Sequence, residues 1–538
     1  MSLKHSSAQL ISVAGHNGSG LTAQSNNYPN LQVARKVNKV DVLDLARWQF
    51  GITTVYHFIL VPLTIGLSPL VAYLQTKWLR TGDAKWLKLS EFFGKILLIN
   101  FALGVATGIV QEFQFGMTWS EYSRYVGDIF GAPLAFEALL AFFLESVFLG
   151  VWIFGRGRIS PKAHTISIWL VALGTNISAL FILAANSFMQ NPVGAVVNPE
   201  TGRAELDGMG GFLEVVFSTT TLYAFAHTIS ASLMVAGAMI AGISIWWIVR
   251  NVKRKNEIEA RELWKPAAQF GLKVLAVAGI LAVVTGHFMG QHMYNTQPTK
   301  MAAAMGIVQN EENAPLALLL TGTELTEDNL ITLPIPGLES FMVTNHFSGP
   351  ESMITGATEL QEKYTELFSE EYGDEVNYIP NPFIAFYSFR IMMLLGFISL
   401  GLAAAGLWML RGDRLIRSGG AAKLYVWTIP LPYIASTFGW ILTEMGRQPW
   451  VVYPNMNTEM VATPSQMVKQ LTDFGVSQNV VPVEVFISLV IFTLLYAALG
   501  VVWYILIKRY VREGVNPTKD VTLEFDHTNP DAKLGFAY

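Results

Sequence analysis

Residues Gly127–Ser146 read GDIFGAPLAFEALLAFFLES, an apolar run that carries two glutamates, Glu137 and Glu145. It continues through VFLGVWIF to Phe154, which exceeds the roughly 20 apolar residues that a helix needs to cross a bilayer. No lysine or arginine lies in the stretch to pair with either carboxylate. Carboxylates are costly in hydrocarbon, so this run indicates a membrane helix that turns a polar face inward, toward a proton or ion route.

Eight further stretches behave in the same way. With Phe130–Phe154, the candidate spans are Leu45–Leu74, Phe93–Phe115, His164–Phe188, Leu222–Val249, Ala268–Met289, Phe383–Leu410, Leu424–Thr443 and Val483–Ile507. The fold class expected is an all-α integral membrane protein, a bundle of nine transmembrane helices. Composition agrees: the 538 residues are 52% hydrophobic and only 14% charged, where soluble domains carry about 25% charged residues. The absence of cysteine excludes cysteine-ligated iron–sulfur clusters, disulfides and CxxCH haem attachment. A net charge of −4 carries no nucleic-acid signal. Residues 1–41 form a polar extension without the apolar core of a cleavable signal peptide.

Lysine and arginine alternate between the connections. The first carries Lys77, Arg80, Lys85 and Lys88, the third Arg156, Arg158 and Lys162. The fifth carries Arg250, Lys253, Arg254, Lys255, Arg261 and Lys265, the seventh Arg411, Arg414, Arg417 and Lys423. Even connections are poor in both, so the odd loops and the C-terminal tail are expected in the cytoplasm. Arg35, Lys36 and Lys39 of the extension run against this pattern. The division expected is 42–290 for six helices, 291–381 for a long, acidic, outward-facing loop between helices six and seven, 382–508 for three helices and 509–538 for a cytoplasmic tail. Ordered loops of that length are commonly functional.

Two histidines lie deep in spans, His57 in the first and His227 in the fifth. A lone membrane histidine is often only an interhelical hydrogen-bonder, but imidazole also ligates haem iron, and a thioether can take the opposite axial place. The thioether candidates are Met392 and Met393. Arg390, and Arg447 beside Glu444, stand at membrane edges, where arginine either snorkels or holds an acid such as a propionate. Under the alternating topology, His57, His227, Met392 and Glu444 all fall in the outer half. Lys95, Glu145 and Glu137 form a ladder from the cytoplasm toward them.

These residues sit in long motifs: YHFILVPLTIG around His57, INFALGVATGIVQEFQFG at Ile99–Gly116, the Gly127–Ser146 run, LVALGTNISALFILAANSFMQNP at Leu170–Pro192, FRIM at Phe389–Met392 and GRQPW at Gly446–Trp450. From about Val42 to Ile507 the chain resembles subunit I of the cytochrome bd-type quinol oxidases, in the class with a short quinol loop. The resemblance implies oxidation of membrane quinol and reduction of O2 to water without a proton pump. Protons would be taken from the cytoplasm and released outside the bacterial cytoplasmic membrane. It implies two haems b and one haem d, or a third haem b in its place, and a second membrane subunit, with small single-span peptides beside it.

By the same resemblance, His227 and Met392 are the axial pair of a low-spin haem. His57 and Glu444 each ligate a high-spin haem, with the order between those two haems open. Arg390, Arg447 and Arg47 bind cofactor, Trp440 lies between haems, and Glu137, Glu145, Lys95 and Ser146 form the proton route. Lys300 matches a basic quinol-site residue. The family has Glu five residues after it, where this chain has Met305. A thioether cannot accept a quinol proton, and Glu311 or Glu312 are the substitutes nearest in sequence. A transporter using buried glutamates is the alternative from another class, but the chain shows no internal repeat. Haem–copper oxidases and bis-His cytochromes b need more intramembrane histidines than His57 and His227.

Overall fold

The computed structural model describes residues 42–333, 335–414, 425–456 and 466–515. The polar extension, the tail beyond residue 515, and Arg417, Lys423 and Leu424 lie outside the described residues. Among the described residues, eight helices are long and apolar enough to cross a membrane. They are α1 (Val42–Thr81), α2 (Ala84–Gly116), α3 (Gly127–Phe154), α4 (Pro161–Gln190), α5 (Thr219–Lys253), α6 (Lys265–Thr296), α10 (Pro382–Leu410) and α12 (Pro482–Glu513). Most run past the apolar limits expected from sequence, because the helical hydrogen-bond ladder continues into polar flanks. Their starts follow local chemistry. Asp83, Ser160, Ser218 and Asn381 each accept a backbone N–H of the first turn, and Pro161, Pro382 and Pro482 occupy first helical positions.

The expected span Leu424–Thr443 differs. Tyr425 and Val426 are helical, Trp427–Ile429 form a turn, and the helix α11 covers Pro430–Met445, 16 residues. That is about 24 Å of rise, short of a full crossing. Pro430 and Pro432 account for the late start, since neither can donate to a preceding turn. The Gly127–Phe154 helix is also irregular: Glu137–Phe142 form a π-helical turn. One extra residue per turn there re-aims the glutamate side of the helix, a distortion that π-turns commonly supply at functional sites.

Contacts define two ends of the bundle. At one end Gln75 near the close of α1 meets His164 at the start of α4, Arg156 after α3 pairs with Glu91 of α2 at 2.8 Å, and Arg250 of α5 donates to the Arg512 carbonyl of α12. Lys265 and Arg261 both bind Asp413 after α10. This end carries most of the arginine and lysine. At the other end, Arg47 near the start of α1 reaches Gln448 after α11, and Asn191 after α4 reaches Thr220 at the start of α5. The helix α5 is the most buried of the eight, and α3, α10 and α12 bury few of their apolar side chains.

Between α6 and α10 the long connection is folded. It contains α7 (Pro298–Met305), a hairpin of Ala317–Leu320 with Leu330–Thr332, α8 (Leu338–Thr344) and α9 (Ala357–Tyr372). An aromatic cluster of Tyr364, Phe368 and Tyr378 docks α9 onto Trp450 and Tyr453 from the segment after α11. This burial anchors the connection over the bundle.

Close helix contact rests on small residues. A Cβ on Gly237 of α5 would lie 2.8 Å from the Leu275 backbone N of α6, and one on Gly271 would lie 2.6 Å from the Ala241 backbone N. Gly237→Val is therefore expected to destabilise the folded subunit by about 1–3 kcal/mol through overpacking, read as a lower midpoint of thermal unfolding in detergent. An unchanged midpoint would mean that the α5–α6 seam tolerates separation.

Candidate functional site

The two intramembrane histidines are held alike. His57 Nδ1 lies 2.8 Å from Thr107 Oγ1 of α2, and His227 Nδ1 lies 3.1 Å from Thr285 Oγ1 of α6. A glycine faces each ring: Gly108 beside His57 and Gly286 beside His227. His164 shows what a purely structural histidine looks like in the same bundle. Its Nδ1 meets Gln75 at 2.7 Å and its Nε2 meets the Trp152 carbonyl at 2.7 Å, so both nitrogens are consumed. Met392 aims its sulfur at Gly439 of α11, where a Cβ would come within 2.9 Å. A bare backbone thus stands opposite each of three candidate iron ligands.

Glu444 stands near the end of α11. Asn186 of α4 donates to its Oε1 at 2.8 Å, and Arg447 donates to its Oε2 at 2.6 Å. Arg447 is only 3% exposed, and beyond its ion pair with Glu444 its Nε and Nη1 have no hydrogen-bond partner among the described residues. Buried donors left unpaired are costly, so these two nitrogens suit a further acid beside Glu444. Trp440 stacks on Phe58, next to His57, with ring centroids 5.0 Å apart, and its indole Nε1 also has no hydrogen-bond partner among the described residues. Arg47 Nη2 donates to Gln448 beside Arg447. Two imidazoles on glycine-lined faces, a thioether, a carboxylate and an arginine with unpaired donors are residues that fit haem groups carrying propionates.

The glutamates of α3 are served by α4. Thr175 donates to Glu145 at 2.7 Å, and Ser178 donates to Glu137 at 2.7 Å. Glu145 is buried, and Gly174 permits the close approach of the two helices. Glu112 of α2, which sequence reasoning did not single out, interacts electrostatically with Glu137. Two other expected members stand apart. Ser146 donates to the Phe143 carbonyl of its own helix, and the Lys95 ammonium lies 4.9 Å from the centre of the Tyr510 ring.

Lys300 of α7 is fully buried. Its Nζ donates to Gln297 at 3.2 Å, to the Thr443 carbonyl at 3.3 Å and to Gln190 at 3.4 Å. Burial lowers its pKa to about 7. Gln190 in turn contacts Asn186, the partner of Glu444. Lys300 is thus wired to the Glu444 end of the bundle.

Arg390 was expected at a propionate. Its guanidinium instead donates to the carbonyls of Ala304, Met305 and Ala317, at 2.6, 3.0 and 2.7 Å, and lies 3.4 Å from Glu339. These bonds take up all three nitrogens and tie the long connection to α10. Glu339 is completely buried, and burial raises its pKa to about 8 against the pull of Arg390. The substitutes considered for the missing carboxylate at Met305 were Glu311 and Glu312, both exposed; the carboxylate that shares Arg390 with the Met305 carbonyl is Glu339. Sequence alone offers no signal for it, because the approach depends on the fold of the connection.

The chain is similar to known proteins over most of its length. The chain is 38% identical over 473 residues to a cytochrome bd ubiquinol oxidase subunit 1 of Bacillus subtilis, covering 88% of this chain and 94% of that one. It is 36% identical over 464 residues to a cytochrome bd-II ubiquinol oxidase subunit 1 of Escherichia coli, covering 77% and 88% respectively. Its fold matches the bd oxidase structure from Geobacillus thermodenitrificans with a TM-score of 0.72 at 25% identity, over 89% of this chain and 100% of that one. The family model for cytochrome bd terminal oxidase subunit I matches residues 45–515, and the chain belongs to that family.

Proposed function

We propose that this subunit oxidises membrane quinol and reduces O2 to water, with His227 and Met392 holding a low-spin haem and with His57 and Glu444 each holding a high-spin haem. Two haems would be of b type, and the third a haem d or another haem b. The observation that carries the reading is the set of buried arginine donors and glycine-faced ligands at the Glu444 end. When bound, the haems supply electron transfer and an open iron site for O2. Arg447 would hold a propionate through its unpaired Nε and Nη1. The contacts of Arg390 support a different role from the one expected, as a clamp on the connection.

The topology proposed has nine spans, with α11 as the short eighth. The lysine- and arginine-rich end faces the cytoplasm and the folded connection faces outward. A second membrane subunit and small single-span peptides would cover the exposed apolar faces of the outer helices. Glu145 and Glu137, each held by a hydroxyl of α4, would pass protons outward from the cytoplasmic side, with Lys95 and Ser146 as its more distant members. Quinol protons would leave on the outer side, so charge separates without a pump. Lys300, behind the surface of the connection, would act on the quinol head group through its charge and the Gln190–Gln297 contacts.

His227→Ala and Met392→Leu are each expected to abolish the low-spin haem signal in reduced-minus-oxidised spectra. A signal kept in both would contradict the ligand pair. Glu145→Gln is expected to slow steady-state turnover by about 10²-fold or more, as removal of a proton-transfer group does, with haem content unchanged. Full turnover in that variant would remove Glu145 from the route. The charge of Lys300 is present below about pH 7 and lost above it. The quinol KM is accordingly expected to change as pH rises through 7, and Lys300→Met is expected to flatten that change. A pH profile identical in the two proteins would separate Lys300 from quinol.

A further inference from the structure

His57 and His227 lie on different helices, α1 and α5, and face different neighbours, α2 and α6. Each is nevertheless met by the same dipeptide, Thr107–Gly108 in one case and Thr285–Gly286 in the other. A threonine hydroxyl has one proton to give. Thr107 directs its own to the carbonyls of Gly104 and Leu103, at 2.9 and 3.0 Å, and Thr285 directs its own to the Leu281 carbonyl at 2.8 Å. A hydroxyl committed in this way can only accept from the imidazole. With that proton on a carbonyl, an accepting threonine calls for the ring hydrogen on Nδ1 and the lone pair on Nε2; the His227 ring also meets the Ala282 carbonyl.

The glycine that follows each threonine completes the arrangement. A Cβ at Gly108 would lie 3.2 Å from His57 Cε1, and one at Gly286 would lie 3.1 Å from His227 Cε1. Both rings rest against bare backbone, close enough that a larger residue would turn them. At His227 the glycine faces the Cε1–Nδ1 edge, which leaves Nε2 on the far side; at His57 it faces the Cε1–Nε2 edge, with a Cβ 3.6 Å from Nε2, so there it is the absence of a side chain that keeps the approach to Nε2 clear.

We propose that Thr107 and Thr285 are positioning residues that fix the Nδ1–H tautomer of two haem-ligating histidines and hold each Nε2 ready for iron. The proposal rests on the ligand reading above. Ligating histidines generally donate their second ring N–H to an outer partner, which sets both ring orientation and ligand basicity. A hydroxyl is a weaker acceptor than a carboxylate, so these two imidazoles stay close to neutral. Such ligands favour the reduced iron, which suits centres that accept electrons.

The test uses Thr107→Val and Thr285→Val in the full chain with its co-expressed partner, each beside the Thr→Ser variant at the same position. Valine keeps the branched shape and removes the acceptor; serine restores the acceptor. The readouts are haem content per chain, reduced-minus-oxidised spectra and redox titration. Thr285→Val is expected to lower low-spin haem retention by about tenfold or more, the usual scale for loss of an outer partner, or to shift the midpoint of the haem that remains. Thr107→Val is expected to do the same to a high-spin haem, and serine is expected to restore both. Valine variants with wild-type haem content, bands and midpoints would overturn the proposal, as would serine variants as impaired as valine. His227→Ala is measured in parallel. A low-spin band kept in His227→Ala as well would place the failure in the ligand reading; a band kept only in the valine variants would place it in the threonine role.

Discussion

An ionisable group placed inside a membrane bundle is costly unless a neighbouring helix offers it a hydrogen bond, and in this subunit α4 does that for four such groups. Thr175 serves Glu145, Ser178 serves Glu137, Asn186 serves Glu444, and Gln190 serves Lys300. At 100° per residue these four positions fall in one sector of the helix roughly 120° wide, and they span about 22 Å of rise. Hydrogen bonds to charged groups contribute about 1.5–3 kcal/mol each, so the stripe offsets part of the cost of holding three carboxylates and an ammonium away from water. It also places Glu137 and Glu145, the proposed proton-route carboxylates, and the candidate iron ligand Glu444 along one rail.

The connection between α6 and α10 meets that rail at its Glu444 end. Lys300 reaches into it from α7, and Arg390 binds the carbonyls at the end of the same short helix. The aromatic cluster around Trp450 joins α9 to the segment that follows Glu444 and Arg447. Lys300, proposed to act on quinol, and Glu444 therefore share one set of contacts, through Gln190 and Asn186.

Much of this is legible in the amino-acid sequence. The apolar runs mark eight of the spans, and the intramembrane Glu137, Glu145, His57 and His227 mark themselves by their cost in hydrocarbon. The turn that shortens α11 is less legible, because Pro430 and Pro432 lie inside an otherwise apolar run and hydropathy ignores backbone donors. The π-helical turn at Glu137 leaves no compositional trace at all. Partnerships across helices depend on rotation, which periodicity in uniformly apolar segments does not define. Thr107, Thr285 and Asn186 look like ordinary small polar residues until the packing brings them to a ligand. Arg390 shows the converse: its position beside Met392 points to a propionate, and the fold gives it to carbonyls instead.

The central claim is that this subunit is built around haem iron held by His, Met and Glu side chains. Pigment extraction from the purified complex, with haem types and their ratio to this chain quantified, tests it most directly. The account predicts three haems per chain, at least two of them b type, with both low-spin and high-spin bands in the reduced-minus-oxidised spectrum. Protein that is folded and carries its partner subunit, yet yields no haem and no such bands when isolated from haem-replete cells, would contradict it.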